Sequence, residues 1–115
     1  SSFASVYLRP LNGRRLEPSP PRNTRAIQYF AYPEYPFDRL RDEFPDGRFE
    51  AGADIAPSEW IHLRVDVADD RIVATVDGET VLTASPLAPA TAGDVGLFVD
   101  IGSEAHFRDL RVRAD

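Results

Sequence analysis

The chain contains no cysteine, no lysine and no methionine. The first absence excludes disulfides, thiolate nucleophiles and metal sites built on sulfur. The second excludes Schiff-base and amine-nucleophile chemistry, and makes all 13 basic residues arginine. Histidine occurs only at His62 and His106. Neither sits in a metal-ligand spacing, so both read as surface residues on strands, and a metal or Ser–His–Asp site would need further groups. No apolar run approaches the ~20 residues that span a bilayer. The opening "SSFASVYLRP" lacks the basic start, apolar stretch and cleavage site of a signal peptide. A chain without an initiator methionine reads as a piece of a longer product. With a net charge of −6 and a pI near 4.8, the composition argues against nucleic acid as the main partner. Arginines 9, 14, 15, 22 and 25 nevertheless form a local basic strip.

What is present suffices for one domain with a real core: 115 residues, 43% of them hydrophobic. Residues 2–8 alternate as a strand, and the proline-rich "RPLNGRRLEPSPPRN" that follows is a long loop. Residues 24–32 are β-branched and aromatic, a strand that Pro33 and Pro36 end. Phe37, Leu40 and Phe44 have helical spacing over one or two turns. "PDG" at 45–47 is a turn before a strand over 48–55. "WIHLRVDV" alternates strictly, with Ile61, Leu63, Val65 and Val67 on one face. "ADD" at 68–70 is a tight turn, and "RIVATVDGETVLTA" is a hairpin turning at Asp77-Gly78. "VGLFVDI" and "HFRDLRVR" read as closing strands, the latter with a β-bulge at Arg108–Asp109 that returns Phe107, Leu110 and Val112 to one face. About eight short strands with regular turn signals predict an all-β, antiparallel β-sandwich. Its expected core is Trp60, Leu63, Val65, Ile72, Val76, Leu97, Phe107 and Leu110.

The stretch from Glu59-Trp60 through Val76-Asp77-Gly78-Glu79 to Gly96-Leu97-Phe98 and Phe107-Arg108-Asp109-Leu110 resembles the C-terminal half of concanavalin A-like (laminin-G-like) jelly-roll domains. Ser58 stands where that pattern has glycine. The ending is similar to that of the bacterial 3-keto-disaccharide hydrolase domain, and "VYLRPLNG", "IQYFAYPEYPFDRLR" and "GRFEAGADIAPSEW" look like one bacterial branch of the same superfamily. The resemblance implies a concanavalin A-like jelly roll, and it leaves out strands that such domains carry before "VYLRP". Residues 1–115 are thus expected to be a single β-sandwich domain or the C-terminal part of one, with an incomplete jelly roll and unpaired edges. A second protein chain or a homo-oligomer is the expected completion. The resemblance leans toward a secreted or extracytoplasmic setting.

Seven of the twelve aromatic residues fall between Tyr29 and Phe49. Rings occur on both strand parities, so one set lies outside a simple core. Tyrosine offers a flat apolar body with a polar tip, and arginine forks and amides fix hydroxyls and carboxylates. The candidate ligand-binding residues are Arg9, Asn12, Arg25, Gln28, Tyr29, Tyr32, Tyr35, Asp38, Arg39 and Arg41. The bland alternative is that these rings cover a loop against the sheet edge. No catalytic residue is assigned, and no cofactor or metal is expected. Carboxylate pairs such as Asp69 with Asp70, Asp77 with Glu79 and Asp100 with Glu104 leave calcium as a lesser option, though turn chemistry accounts for Asp69, Asp70 and Asp77. Three functions stay open: a noncatalytic carbohydrate-binding or accessory module, part of a glycoside-processing hydrolase completed by another segment or chain, and a subunit-assembly domain. No nucleic acid or membrane partner is expected.

Overall fold

The structure is a computed structural model that describes residues 3–68, 70–87, 95–99 and 102–113. Its strands are β1 (Phe3–Leu8), β2 (Ile27–Tyr32), β3 (Glu50–Ala51), β4 (Leu63–Val67), β5 (Ile72–Val76) and β6 (Glu79–Ala84). They form two antiparallel three-stranded sheets, β1-β2-β3 and β4-β5-β6. The architecture is the expected all-β sandwich, with one short helix, α1 (Phe37–Glu43).

Side-chain alternation explains how the layers meet. In β2, Ile27, Tyr29 and Ala31 turn inward; in β5 and β6, Ile72, Ala74, Val76, Leu82 and Ala84 do the same. These join Ala26, Leu40, Phe49, Ala53 and Ile55 in one buried cluster. Tyr29 is 0% exposed. Its ring packs 5.7 Å from that of Phe49, and its hydroxyl accepts the Leu87 N–H at 3.2 Å. Burying such a ring supplies part of the hydrophobic driving force, and the hydrogen bond satisfies its polar tip.

Local chemistry sets the connections. Asp77 (φ 48°) and Gly78 (φ 85°) both adopt left-handed backbone, as the tight β5–β6 hairpin turn demands. The Asp77 carboxylate also accepts the His62 N–H at 2.8 Å, so turn chemistry does account for this residue. The loop after β1 is three single 3-10 turns, at Pro10–Asn12, Arg14–Leu16 and Arg22–Thr24. Gly13 lets this loop press on the chain at Ile55: a Cβ there would stand 1.8 Å from the Ile55 carbonyl oxygen.

Several expectations are corrected. The strand expected over 48–55 is reduced to Glu50–Ala51. Residues 95–99 and 106–113, within the two expected closing strands, carry no ladder among the described residues. Asp109 does take a left-handed backbone (φ 56°) at the position expected for a bulge, but in a segment without a paired strand. Of the expected core, Ile72 and Val76 are buried and Leu63 is half-buried. Trp60, Val65, Leu97, Phe107 and Leu110 are exposed instead. The reason is geometric: these residues have the right parity but no layer of described residues over them. The exposed Trp60 carries a guanidinium over its ring, that of Arg108 at 4.2 Å. Six strands are described, and they do not by themselves make a jelly roll. Asp69, Asp100 and part of "VGLFVDI" lie outside the described residues.

Candidate functional site

The register of the first sheet sets one polar row across all three strands. Tyr7 pairs with Gln28, and Gln28 pairs with Glu50. Because Ile27 and Tyr29 face the core, this row faces the other side of the sheet. Phe3 and Ser5 on β1, and Phe30 and Tyr32 on β2, share that outer face by the same parity.

The row is covered by arginines. The Tyr7 hydroxyl donates to Gln28 Oε1 at 2.9 Å, and Arg9 Nη2 donates to the same oxygen and to the Tyr7 hydroxyl. Arg9 also lies over the Tyr7 ring, 4.5 Å from its centroid. Glu50, whose side chain is 8% exposed, receives three guanidinium groups: Arg41 at 2.6 Å, Arg9 at 3.3 Å and Arg25 at 3.9 Å. Arg41 binds both carboxylate oxygens, the fork geometry in which arginine is strongest. These bonds raise the Arg41 pKa above its ordinary value against an opposing effect of burial. Arg41 reaches the row because it lies one helical turn beyond Phe37 on α1, whose ring it covers at 5.2 Å.

Two donors converge on Gln28 Oε1, so the carbonyl side of that amide is fixed by its neighbours. Gln28 is 0% exposed, and its Nε2 has no partner among the described residues. Gln28, Arg41 and Glu50 border a recess closed by Leu40, Phe44, Gly47 and Phe49, with room for about one water.

The other half of the outer face is aromatic. Phe3 stacks on Tyr32 with centroids 5.6 Å apart, and Phe30 meets Phe3 and Tyr7 edge-on at 5.8 and 5.4 Å. Phe98 lies 6.1 Å from Tyr7 and 6.2 Å from Phe30, which brings residues 95–99 beside the same shelf.

Of the residues nominated from sequence, Arg9, Arg25, Gln28, Tyr32 and Arg41 fall on this face. Tyr29 is a correction: strand parity turns it into the core. Asn12 braces the loop, donating to the Arg25 carbonyl and accepting from Arg22. Tyr35 bridges back to Ala31 and carries Arg39 4.8 Å above its ring. Arg39 also pairs with Glu43 at 2.8 Å along the exposed side of α1, while Tyr35 itself is half-buried against the core, so the two stand apart from the polar row. The Asp38 side chain, in the first turn of α1, makes no ion pair among the described residues. Tyr7, Glu50, Phe3, Phe30, Phe37 and Phe98 were not nominated. The alternation of "FASVYLR" places Phe3 and Tyr7 on the parity of the nominated Arg9 and could have signalled these two. Among the described residues, no three His, Asp or Glu side chains are grouped to hold a metal ion.

A family model described as the 3-keto-alpha-glucoside-1,2-lyase-like domain matches residues 29–113. The matched span takes in Phe30, Tyr32, Arg41 and Glu50; Tyr7, Arg9, Arg25 and Gln28 precede it. No curated protein and no solved structure matches the chain.

Proposed function

Because the chain belongs to the 3-keto-alpha-glucoside-1,2-lyase-like domain family, we propose that it is a noncatalytic carbohydrate-binding module. Its sugar-facing surface is the outer face of β1-β2-β3. One observation carries this reading: an aromatic shelf of Phe3, Phe30 and Tyr32 runs without a break into a polar row of Tyr7, Gln28 and Glu50 overlaid by arginines. Pyranose rings present apolar C–H faces and a rim of hydroxyls, so they are matched by rings beside hydroxyl, amide and guanidinium groups. The pairing of Glu50 supports the noncatalytic part of this reading. A glycosidase needs two carboxyl groups, one free to carry a proton. The most enclosed carboxylate on this face is instead held by three cations.

The test is calorimetric titration with oligosaccharides, run beside a product assay. Tyr32→Ala should weaken binding by about 1–3 kcal/mol, as for an anchor residue in an interface. Stability should change by less than about 1 kcal/mol, because Tyr32 is exposed. Sugar release by the parent chain, abolished by a single Asp or Glu substitution, would replace this reading with a hydrolase. Loss of several kcal/mol of stability in Tyr32→Ala, with no saccharide bound by the parent, would assign the shelf to packing.

A further inference from the structure

Resting on the reading of the outer face as a saccharide surface, we propose that the saccharide it takes is acidic, bearing a carboxylate as in a uronic acid. The argument starts from charge. The chain as a whole is at −6, yet three arginines on this face share one acid. The ion pairs of Arg9, Arg25 and Arg41 all run to Glu50. Among the described residues these ion pairs set three positive charges against one negative. Such a cluster is costly to maintain without an anion, because like charges a few ångströms apart repel.

The three arginines are not equally engaged. Arg41 is bound to both oxygens of Glu50, and Arg9 is tied to Glu50, Gln28 and Tyr7. Arg25 reaches Glu50 only at 3.9 Å and keeps about a third of its side chain exposed, 32%. Its backbone is held, since its carbonyl accepts from Asn12 at 3.0 Å, and its partly exposed side chain has only the long contact to Glu50 among the described ion pairs. A planar fork in this state matches a carboxylate by two parallel N–H···O bonds.

An independent observation points the same way. The Nε2 of Gln28 is a buried donor without an acceptor, at a recess sized for a single oxygen and shared with Arg41 and Glu50. Buried donors are rarely left unpaired in proteins. A ligand oxygen in this recess, which Arg41 and Glu50 also line, gives Gln28 the acceptor it lacks.

The experiment titrates the chain with matched pairs of oligosaccharides, each pair identical except that one member carries a C6 carboxylate and the other a C6 hydroxyl. A third member of each set carries a C6 sulfate. The acidic member should bind at least about tenfold more tightly than its neutral twin, the scale of one charge-assisted bond. The ratio should fall toward one in Arg25→Gln and shrink as salt is raised. Arg25→Lys should recover only part of it, because the charge returns without the fork. Equal binding of acidic and neutral twins would overturn the acidic assignment and leave the saccharide reading standing. Tighter binding of the sulfate than of the carboxylate would overturn the uronate assignment. Binding of no member by the folded parent would overturn both readings.

Discussion

Strands β2 and β4 both turn every second residue inward, yet the inward residues of β2 are buried while two of the three in β4 are exposed. In β2 the inward residues Ile27, Tyr29 and Ala31 meet the second sheet, and Gln28 on the reverse is sealed under Arg9 and its neighbours. In β4 the inward set is Leu63, Val65 and Val67 by its pairing with Val76, Ala74 and Ile72. Val67 is nonetheless 63% exposed. The difference is position within the sheet: β2 is central and lies against β6, whereas β4 is an edge. Alternation decides which way a side chain points. Burial needs a second layer to point at.

Three substitutions sharpen or break this contrast. The largest effect belongs to Tyr29→Ala, which empties a fully enclosed site and should cost about 3–5 kcal/mol in urea unfolding, the range for large aromatic truncations. A loss below about 1 kcal/mol would show that the sheets do not close on this ring. Glu50→Gln comes next. It keeps the shape of the side chain but leaves three arginines without their carboxylate, and should cost about 1.5–3 kcal/mol, the value of charge-assisted hydrogen bonds. A neutral or stabilising outcome would mean that the arginines already repel little and that β2 owes its outer enclosure to packing. The smallest effect is expected at Trp60→Ala, within about 1 kcal/mol, as for other exposed positions. A loss as large as that of Tyr29→Ala would show that the face of β4 is covered in solution, and the contrast between the two strands would vanish.

Much of the architecture was legible because it depends on short-range rules. The hairpin at Asp77-Gly78, the helix at Phe37–Glu43 and the strand ended by Pro33 each follow from residues within a few positions of one another. Burial was less legible. Trp60 and Leu110 have the composition of core, and only the absence of an opposing layer among the described residues sets them at the surface. The candidate site was half visible. Arginines near tyrosines drew attention to Arg9, Arg25, Gln28, Tyr32 and Arg41. Glu50 escaped notice, because nothing local distinguishes it from the other acids; it becomes special only when β3 pairs with β2 and α1 delivers Arg41. Tyr29 failed for the opposite reason. Its neighbours in sequence suggested a ligand surface, while its parity committed it to the interior.

The bond from the Leu87 amide to the Tyr29 hydroxyl spans 58 positions of sequence and crosses from the second layer to the first. Its donor belongs to a backbone that has already left β6, so no ladder protects that proton. Exchange of this one amide with solvent therefore acts as a gauge of the gap between the layers. Sliding or parting of the two sheets releases it while the ladders of each sheet stay intact, and such local openings have their own free energies below that of global unfolding. Tyr29→Phe would remove the gauge and leave the ring in place, so the molecule carries both a reporter of its own opening and the control that validates it.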